Sequence, residues 1–336
     1  MHLGLVLTAP PDVLEQVPVE QMEQAGAWAL FLRCFEDELR WRAPVVANFS
    51  QRVHEQHLRL FLVPAGYGIL AAEQQPSSLF VQVHPDTRQV DNRGRRLQRA
   101  CPNNPRYLEW FTTSMRTLAW MIEADGFAWE EPGFHFGRGG WSCRCHYCEE
   151  LYVGRELNPL PMELTPSLLS LRQQSVAMLV TAASAAVKSV DSGLASLVMP
   201  TPGPQTGAVP TGNENWRSLA AAEGVDGLVL TWPPAAYGEG GTGGAVGFCT
   251  AARAWLPPTA PLLLRLMCCR DLTETEITLQ QLRQVGVQAV LIEDSSLYLG
   301  QKRPGRRAEE LFGVIETVTR ADRGRSGPAI SSPTDN

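Results

Sequence analysis

The sequence alternates short apolar runs with longer segments of mixed polarity. Runs without polar alternation are typical of strands that are buried on both faces, as in a parallel sheet. Eight runs rich in Val, Leu and Phe have the length of a strand, and they cover residues 3–7, 29–33, 58–63, 126–129, 194–199, 227–231, 262–267 and 289–292. The pattern therefore predicts eight parallel strands.

Segments of helical character separate these strands and follow the last one. They cover residues 19–24, 42–56, 107–124, 166–189, 216–223, 247–255, 274–285 and 308–320. Eight alternating β and α units are the pattern of the (β/α)8 TIM barrel, with an open α/β sheet of fewer strands as the alternative. We expect one barrel domain over residues 1–320 and a disordered polar tail over residues 321–336.

Composition excludes two classes of partner. The formal net charge of −6 disfavours a nucleic-acid surface, and the one arginine-rich run, at 93–99, is interpreted as a solvated loop. No apolar run approaches the length that spans a bilayer, and the first residues lack the basic leader of a secretory signal. We expect a cytoplasmic protein, in which clustered thiols bind metal more often than they form disulfides.

Three of the eight cysteines lie within six residues, at Cys143, Cys145 and Cys148. Tetrahedral zinc takes four ligands, and a tight turn can bring these three sulfur atoms together. Cys101 is the preferred fourth ligand, with His146 or a residue that the sequence does not reveal as alternatives. Four sulfur ligands leave no open coordination position, so we expect a structural zinc. The competing interpretation is a set of free buried thiols.

Two adjacent carboxylates, Glu130 and Glu131, stand where the fourth strand should end, and barrels carry their catalytic groups at the carboxyl ends of strands. Because successive strand residues point to opposite faces, we expect only one of them to project into the barrel mouth. Glycoside hydrolysis requires a proton donor and a second carboxylate. Candidates for the second carboxylate are Asp271, beyond the seventh strand, and Glu293 and Asp294, at the end of the eighth.

Basic and aromatic side chains near the predicted strand ends are candidates for binding a sugar. Arg33 and Trp129 end the second and fourth strands, and Trp232 and Tyr237 follow the sixth. Aromatic rings offer an apolar face on which a sugar ring can stack, although a Trp at a barrel mouth also serves as ordinary packing. The expected partner is therefore a carbohydrate, and a homo-oligomer is compatible with the sequence.

Residues 95–152 resemble the corresponding part of the family 42 β-galactosidases of the glycoside hydrolases. That family has a Cys-Pro-Asn-x-Pro turn, a strand ending in Asn-Glu and a C-x-C-x-x-C motif, and its four cysteines hold zinc. The matching elements here are Cys101-Pro102-Asn103-Asn104-Pro105, then Glu130-Glu131, then Cys143, Cys145 and Cys148. The resemblance implies that Glu131 is the general acid/base and that the four cysteines bind a structural zinc.

The chain departs from that family at two positions. Glu130 replaces the family's Asn, and the expected end of the seventh strand, at 266–271, lacks the Glu that acts as the family's nucleophile. We therefore expect a glycoside hydrolase-like barrel that cleaves or binds a carbohydrate. The alternative is a non-catalytic carbohydrate-binding or regulatory barrel that has lost its nucleophile. A catalytic zinc is disfavoured because an all-cysteine site has no position for water.

Overall fold

The apolar runs of the sequence form the strands of a closed barrel. The computed structural model describes residues 1–70, 78–137, 140–200, 210–232, 242–256, 260–267, 272–294, 297 and 306–323. Its strands are β1 (His2–Thr8), β2 (Ala29–Phe35), β3 (Arg59–Ala65), β4 (Arg88–Val90), β5 (Arg96–Ala100), β6 (Gly126–Glu130), β7 (Phe136–Gly137), β8 (Gly140–Trp141), β9 (Ala195–Met199), β10 (Gly227–Trp232), β11 (Leu262–Met267) and β12 (Ala289–Glu293).

The barrel consists of β1, β2, β3, β6, β9, β10, β11 and β12 in that spatial order. All neighbours are parallel, and β12 pairs with β1 to close the barrel. The predicted (β/α)8 fold is confirmed, and each of the eight predicted strands coincides with a barrel strand.

Helices lie between the barrel strands and after the last of them. They are α1 (Pro11–Leu14), α2 (Val19–Gln24), α3 (Glu36–Glu55), α4 (Leu79–Val83), α5 (Pro105–Met121), α6 (His146–Glu156), α7 (Pro166–Lys188), α8 (Trp216–Ala220), α9 (Thr242–Trp255), α10 (Leu272–Gln284) and α11 (Arg306–Arg323). No helix in the described ranges is both long enough and apolar enough to cross a membrane.

The structure differs from the predicted elements at the start of α3, in three further helices and in two small sheets. Helix α3 begins six residues before the predicted start, and its helical geometry is interrupted at Arg42, two residues before Pro44. Proline lacks the N–H of a regular helix and clashes with the preceding turn, which accounts for the kink. The short α1 and α4, and α6, were missed, because their apolar periodicity is weak or brief. The arginine-rich segment predicted as a loop forms much of a β4–β5 hairpin.

The last helix extends three residues past the predicted domain boundary. Helix α11 continues to Arg323, beyond the expected boundary at residue 320. The rest of the predicted tail, residues 324–336, lies outside the described residues.

Side-chain alternation sorts the strand residues into two layers. One set packs between the strands and the helices, and the other fills the barrel, where the rings of Phe31 and Phe61 stack with centroids 4.5 Å apart. Along β6, Ala128 faces the barrel interior, so Glu130 faces the same way and Trp129 faces the helices. The interior is therefore apolar at its centre and becomes charged at the carboxyl ends of the strands.

We predict that Gly126→Ala destabilises the barrel by about 1–3 kcal/mol, because an added Cβ overpacks the interior. That atom would lie 2.4 Å from the carbonyl oxygen of Ala195 and 2.9 Å from the ring of Phe61. Urea denaturation measures the change. Gly154→Ala in α6 is the control, since its Cβ meets nothing within 4 Å and should stabilise the helix by about 0.5–1 kcal/mol. If Gly126→Ala were as stable as wild type, the close approach of Ala195 and Phe61 to Gly126 would be contradicted.

Candidate functional site

Four charged side chains from four barrel strands meet at the carboxyl end of the barrel. We call Arg33, Glu130, Arg265 and Glu293 the ionic cluster. Arg33 donates hydrogen bonds to Glu130 from Nε, at 2.9 Å, and from Nη2, at 2.5 Å. Its Nη1 donates to Glu293 Oε1 at 2.5 Å and to Thr8 Oγ1 at 3.3 Å. Arg33 therefore bridges two carboxylates that are 163 residues apart in the chain.

Arg265 completes the ionic cluster from β11. Its Nη1 donates to Glu130 Oε1, and its Nε lies 3.6 Å from Glu293 Oε2. Two arginines and two carboxylates balance in charge, which buried charges require. Arg265 was not among the residues predicted from the sequence. The available signal was an arginine within the apolar strand β11, two residues beyond the inward-facing Leu263.

The ionic cluster fixes the charge of Glu130. Burial alone would raise the pKa of this carboxyl, but the charges of Arg265 and Arg33 and the hydrogen bonds that they donate lower it to about 2. The pKa of Arg33 is raised: burial disfavours its charge, and the carboxylates of Glu130 and Glu293 outweigh that effect. Glu130 is therefore a carboxylate at neutral pH and has no proton to donate.

Glu131 lies immediately beyond β6 in a different environment. Its backbone has φ +45°, and its N–H donates to the carbonyl of Met199 at 2.7 Å. Its side chain is 27% exposed, against 7% for Glu130, and its Oε1 lies 3.8 Å from Arg265 Nη2. The expectation that only one of the two carboxylates reaches the mouth was wrong. The left-handed conformation breaks the strand alternation, so both lie near Arg265.

The three candidates for a second carboxylate are placed differently. Glu293 is 2% exposed and belongs to the ionic cluster. Asp294 is also buried and accepts hydrogen bonds from Arg307 of α11, from Nε at 3.0 Å and from Nη2 at 2.7 Å. Asp271 lies outside the described residues. Glu293 and Asp294 are each held by an arginine, and neither side chain is exposed.

The two aromatic candidates within the described residues pack on the helix side of the barrel. The structure contradicts the prediction for Trp129, whose buried ring faces the helices and donates from Nε1 to Ser196 Oγ at 2.8 Å. Trp232 is half-buried against Phe248 of α9, with ring centroids 5.3 Å apart. Tyr237 lies outside the described residues. Of the predicted sugar-binding residues, only Arg33 is shown in the mouth, where its guanidinium holds two carboxylates.

The four predicted metal ligands converge into one cluster. Cys101, Cys143, Cys145 and Cys148 are buried, and their Sγ atoms all lie within 4.8 Å of one another. Cys101 Sγ is 3.4 Å from Cys148 Sγ and 3.5 Å from Cys145 Sγ. Tetrahedral zinc with Zn–S bonds of about 2.3 Å places its sulfur atoms about 3.8 Å apart, so the cluster has the dimensions of such a site. His146 is exposed and lies outside the cluster.

Local structure explains why these thiols converge. The β4–β5 hairpin leads into Cys101, whose N–H donates to the carbonyl of Thr87 at 2.8 Å. The N–H of Val90, on the same hairpin, donates to Cys143 Sγ at 3.4 Å. Asn103 Nδ2 donates to Cys148 Sγ at 3.3 Å. Donors of this kind are typical of the groups that surround metal-bound thiolates and orient them.

The pKa values of the four thiols also favour a bound cation. Hydrogen bonds from Cys101, Cys143 and Cys148 lower the pKa of the Cys145 thiol. Burial raises the pKa of Cys101, and its thiol neighbours raise it further. One thiolate is therefore stabilised by its neighbours, whereas four buried thiolates require a metal ion among them. The residues present fit a structural zinc.

The thiol cluster is joined to the segment that follows Glu131. Ser142, next to Cys143, donates its N–H to the carbonyl of His135 at 3.0 Å. Gln89 Oε1 accepts from the N–H of His135 at 2.9 Å and from the hydroxyl of Ser142. The hydrogen bonds of Ser142 and Gln89 to His135 therefore link Cys143 to the segment between Glu131 and the thiols.

Comparison with known proteins places the chain among barrel structures. No protein-family model matches the sequence, and no curated protein matches it. Among solved structures, the catalytic domain of β-amylase from Paenibacillus polymyxa aligns with a TM-score of 0.64 at 10% identity, over 94% of this chain and 98% of that one. A β-galactosidase from the psychrophilic Marinomonas ef1 aligns with a TM-score of 0.69 at 10% identity.

The second alignment covers 97% of this chain but 60% of the β-galactosidase. The PgaB (BpsB) glycoside hydrolase domain from Bordetella bronchiseptica aligns with a TM-score of 0.61 at 12% identity, over 94% of this chain and 99% of that one. At such identities the likeness shows the fold alone. All three similar structures are (β/α)8-type barrels whose names describe carbohydrate-acting enzymes or domains.

We predict that Glu130→Gln lowers the free energy of unfolding at pH 7 by roughly 3–5 kcal/mol, because it leaves two buried arginines facing one carboxylate. The pKa of Glu130 is lowered from 4.5 to about 2. Its contribution is therefore complete above about pH 4.5 and is lost as the pH falls towards 2. Urea denaturation from pH 7 to pH 3 should show the difference between wild type and variant shrinking below pH 4.5. A difference in unfolding free energy that stays constant from pH 7 to pH 3 would contradict the lowered pKa of Glu130.

We predict that the purified protein holds about one zinc per chain and that Cys145→Ser loses it, since a structural site needs all four sulfur ligands. Elemental analysis and thermal unfolding with and without chelator measure the change. Cys249→Ser is the matched control: Cys249 is buried but outside the thiol cluster, and burial raises its pKa to about 12. Wild-type zinc content in Cys145→Ser would contradict the site.

Proposed function

We propose that this barrel hydrolyses a glycosidic bond and that Glu131 delivers the proton to the leaving oxygen. The observation that carries the proposal is the position of Glu131. It stands at the carboxyl end of the fourth barrel strand, and its side chain is the most exposed of the carboxylates that contact Arg265. Barrel enzymes carry their catalytic groups at this end of the strands.

The ionic cluster supplies the fixed charges around that donor. Because Glu130 is ionised and bound by two arginines, it cannot be the acid, and its proposed role is to hold Arg33 and Arg265 in place. Arg265 then presents its Nη2 to Glu131. Groups that are fixed by packing and paired charges do not need to reorganise during a reaction, which is the basis of electrostatic catalysis.

A second carboxylate must attack the sugar or activate water. We propose Asp271 for this role because it follows β11, the neighbour of β12 in the barrel, and because Glu293 and Asp294 are held by arginines. Glu293 and Asp294 remain the other proposed partners, since release from their arginines would free either carboxylate. The distance from Glu131 to the partner would decide between retention and inversion of configuration.

A zinc ion at the four cysteines would have a structural role. All four coordination positions are filled by sulfur, so the metal would have no place for substrate or water. It would hold the start of α6 and, through Ser142 and His135, the segment that follows Glu131. The chemistry would then be carried out by carboxylates alone.

A non-catalytic carbohydrate-binding barrel is the second candidate. The observation that favours it is that both described candidates for a second carboxylate are buried and bound to arginines. Such a protein would bind a sugar at the mouth without cleaving it. Binding without turnover, in the wild type and in the Glu131 variant alike, would distinguish this candidate from the enzyme.

We predict that wild type cleaves at least one member of a panel of α- and β-nitrophenyl glycosides. Glu131→Gln should lower kcat by about 10²–10⁴-fold, because the amide cannot donate the proton. Glu123→Gln, at an exposed carboxylate two residues beyond the end of α5, is the matched control and should keep wild-type activity. Equal kcat in wild type and Glu131→Gln would overturn the role of Glu131.

A further inference from the structure

Arg172, in the first third of α7, is a buried cation without a hydrogen-bond partner. It is 1% exposed, and none of its three guanidinium nitrogens makes a hydrogen bond within the described part of the chain. Its Cζ lies 5.0 Å from the centre of the Phe134 ring. A cation–π contact recovers only part of the cost of removing a charge from water, so a buried arginine of this kind needs an anion.

The carboxylate that acts most strongly on Arg172 is already engaged. Glu214 accepts hydrogen bonds from Gln173 Nε2, at 3.2 Å, and from the N–H of Gly212, at 2.6 Å. Burial lowers the pKa of Arg172 to about 10, and the negative charge of Glu214 offsets this only in part. In the described ranges, Glu214 therefore attracts Arg172 without forming an ion pair with it.

Two thiols of the metal cluster are also within electrostatic reach of Arg172. When ionised, Cys148 and Cys143 raise the pKa of Arg172, after Glu214. Phe134, which Arg172 covers, is adjacent to His135, which binds Ser142 beside Cys143. Leu171, next to Arg172 in α7, packs in one apolar cluster with Trp141, two residues before Cys143, and with Tyr152 of α6. Arg172 therefore lies at the part of α7 that packs against the segments carrying the thiol cluster.

A divalent metal held by four thiolates carries a net charge of −2. We propose that Arg172 is the counter-charge of this metal–thiolate centre and that it favours the metal-bound state of the four cysteines. The anion that the buried guanidinium lacks is supplied when the metal binds and all four thiols ionise. This inference concerns the metal centre and does not depend on the proposed hydrolysis.

Removal of the Arg172 charge should affect the stability of the metal-free and the metal-bound protein in opposite directions. Without metal, the buried charge of Arg172 is poorly compensated, so its removal should leave the protein equally or more stable. With metal, the same removal leaves a buried dianion without its counter-charge. A residue that serves only to pack α7 would affect both states alike.

Three variants test the proposal in the full-length protein. Arg172→Met keeps most of the side-chain length and removes the charge, and Arg172→Lys keeps the charge. Arg116→Met, at an exposed position on α5, is the control for loss of an arginine. Zinc affinity is measured by competition with a chromophoric chelator, which works whether or not the metal-free protein is folded. Thermal unfolding is then followed in excess zinc and in excess chelator.

We expect Arg172→Met to weaken zinc binding about 10–100-fold, as is typical when a group that supports metal ligands is removed. Arg172→Lys should lose less, and Arg116→Met should bind zinc like wild type. The melting temperature of Arg172→Met should fall below that of wild type in zinc but not in chelator. Wild-type zinc affinity in Arg172→Met, or an equal fall in melting temperature in both conditions, would overturn the proposal.

Discussion

The structure depends on a balance of four charges inside a barrel. Arg33, Glu130, Arg265 and Glu293 come from four different strands and occupy the interior just above its apolar centre. Burying any one of them alone would be costly, whereas the complete set neutralises itself through short hydrogen bonds. Because each charge needs the others, the ionic cluster ties together strands that are distant in sequence and fixes the floor of the mouth.

That balance separates the roles of two adjacent glutamates. Glu130 is bound by two arginines. The left-handed backbone at Glu131 places the Glu131 side chain near the guanidinium of Arg265, which also binds Glu130. The segment beyond Glu131 runs to the four cysteines, which are joined to it through Gln89, His135 and Ser142. The charged floor and the thiol cluster thus hold the two ends of one short segment of chain.

Much of this arrangement could be predicted from the sequence. The strands could be predicted because each is an uninterrupted apolar run, and Cys143, Cys145 and Cys148 because their spacing suits one metal ion, with Cys101 as the preferred fourth ligand. The pairing of Arg265 with Glu130 could not be predicted, since it joins residues 135 positions apart and depends on the way the barrel closes. The prediction for Trp129 was wrong because strand alternation places it on the helix side: Ala128 faces the barrel interior, so the next side chain faces away from it.

The most direct test of this account is a titration of the Glu130 carboxyl carbon by ¹³C NMR, assigned by its absence in Glu130→Gln. The account predicts that Glu130 stays ionised from pH 7 to pH 4 and that its pKa is about 2. Titration near the ordinary value of 4.5 would contradict the ionic cluster and, with it, the separation of roles between Glu130 and Glu131.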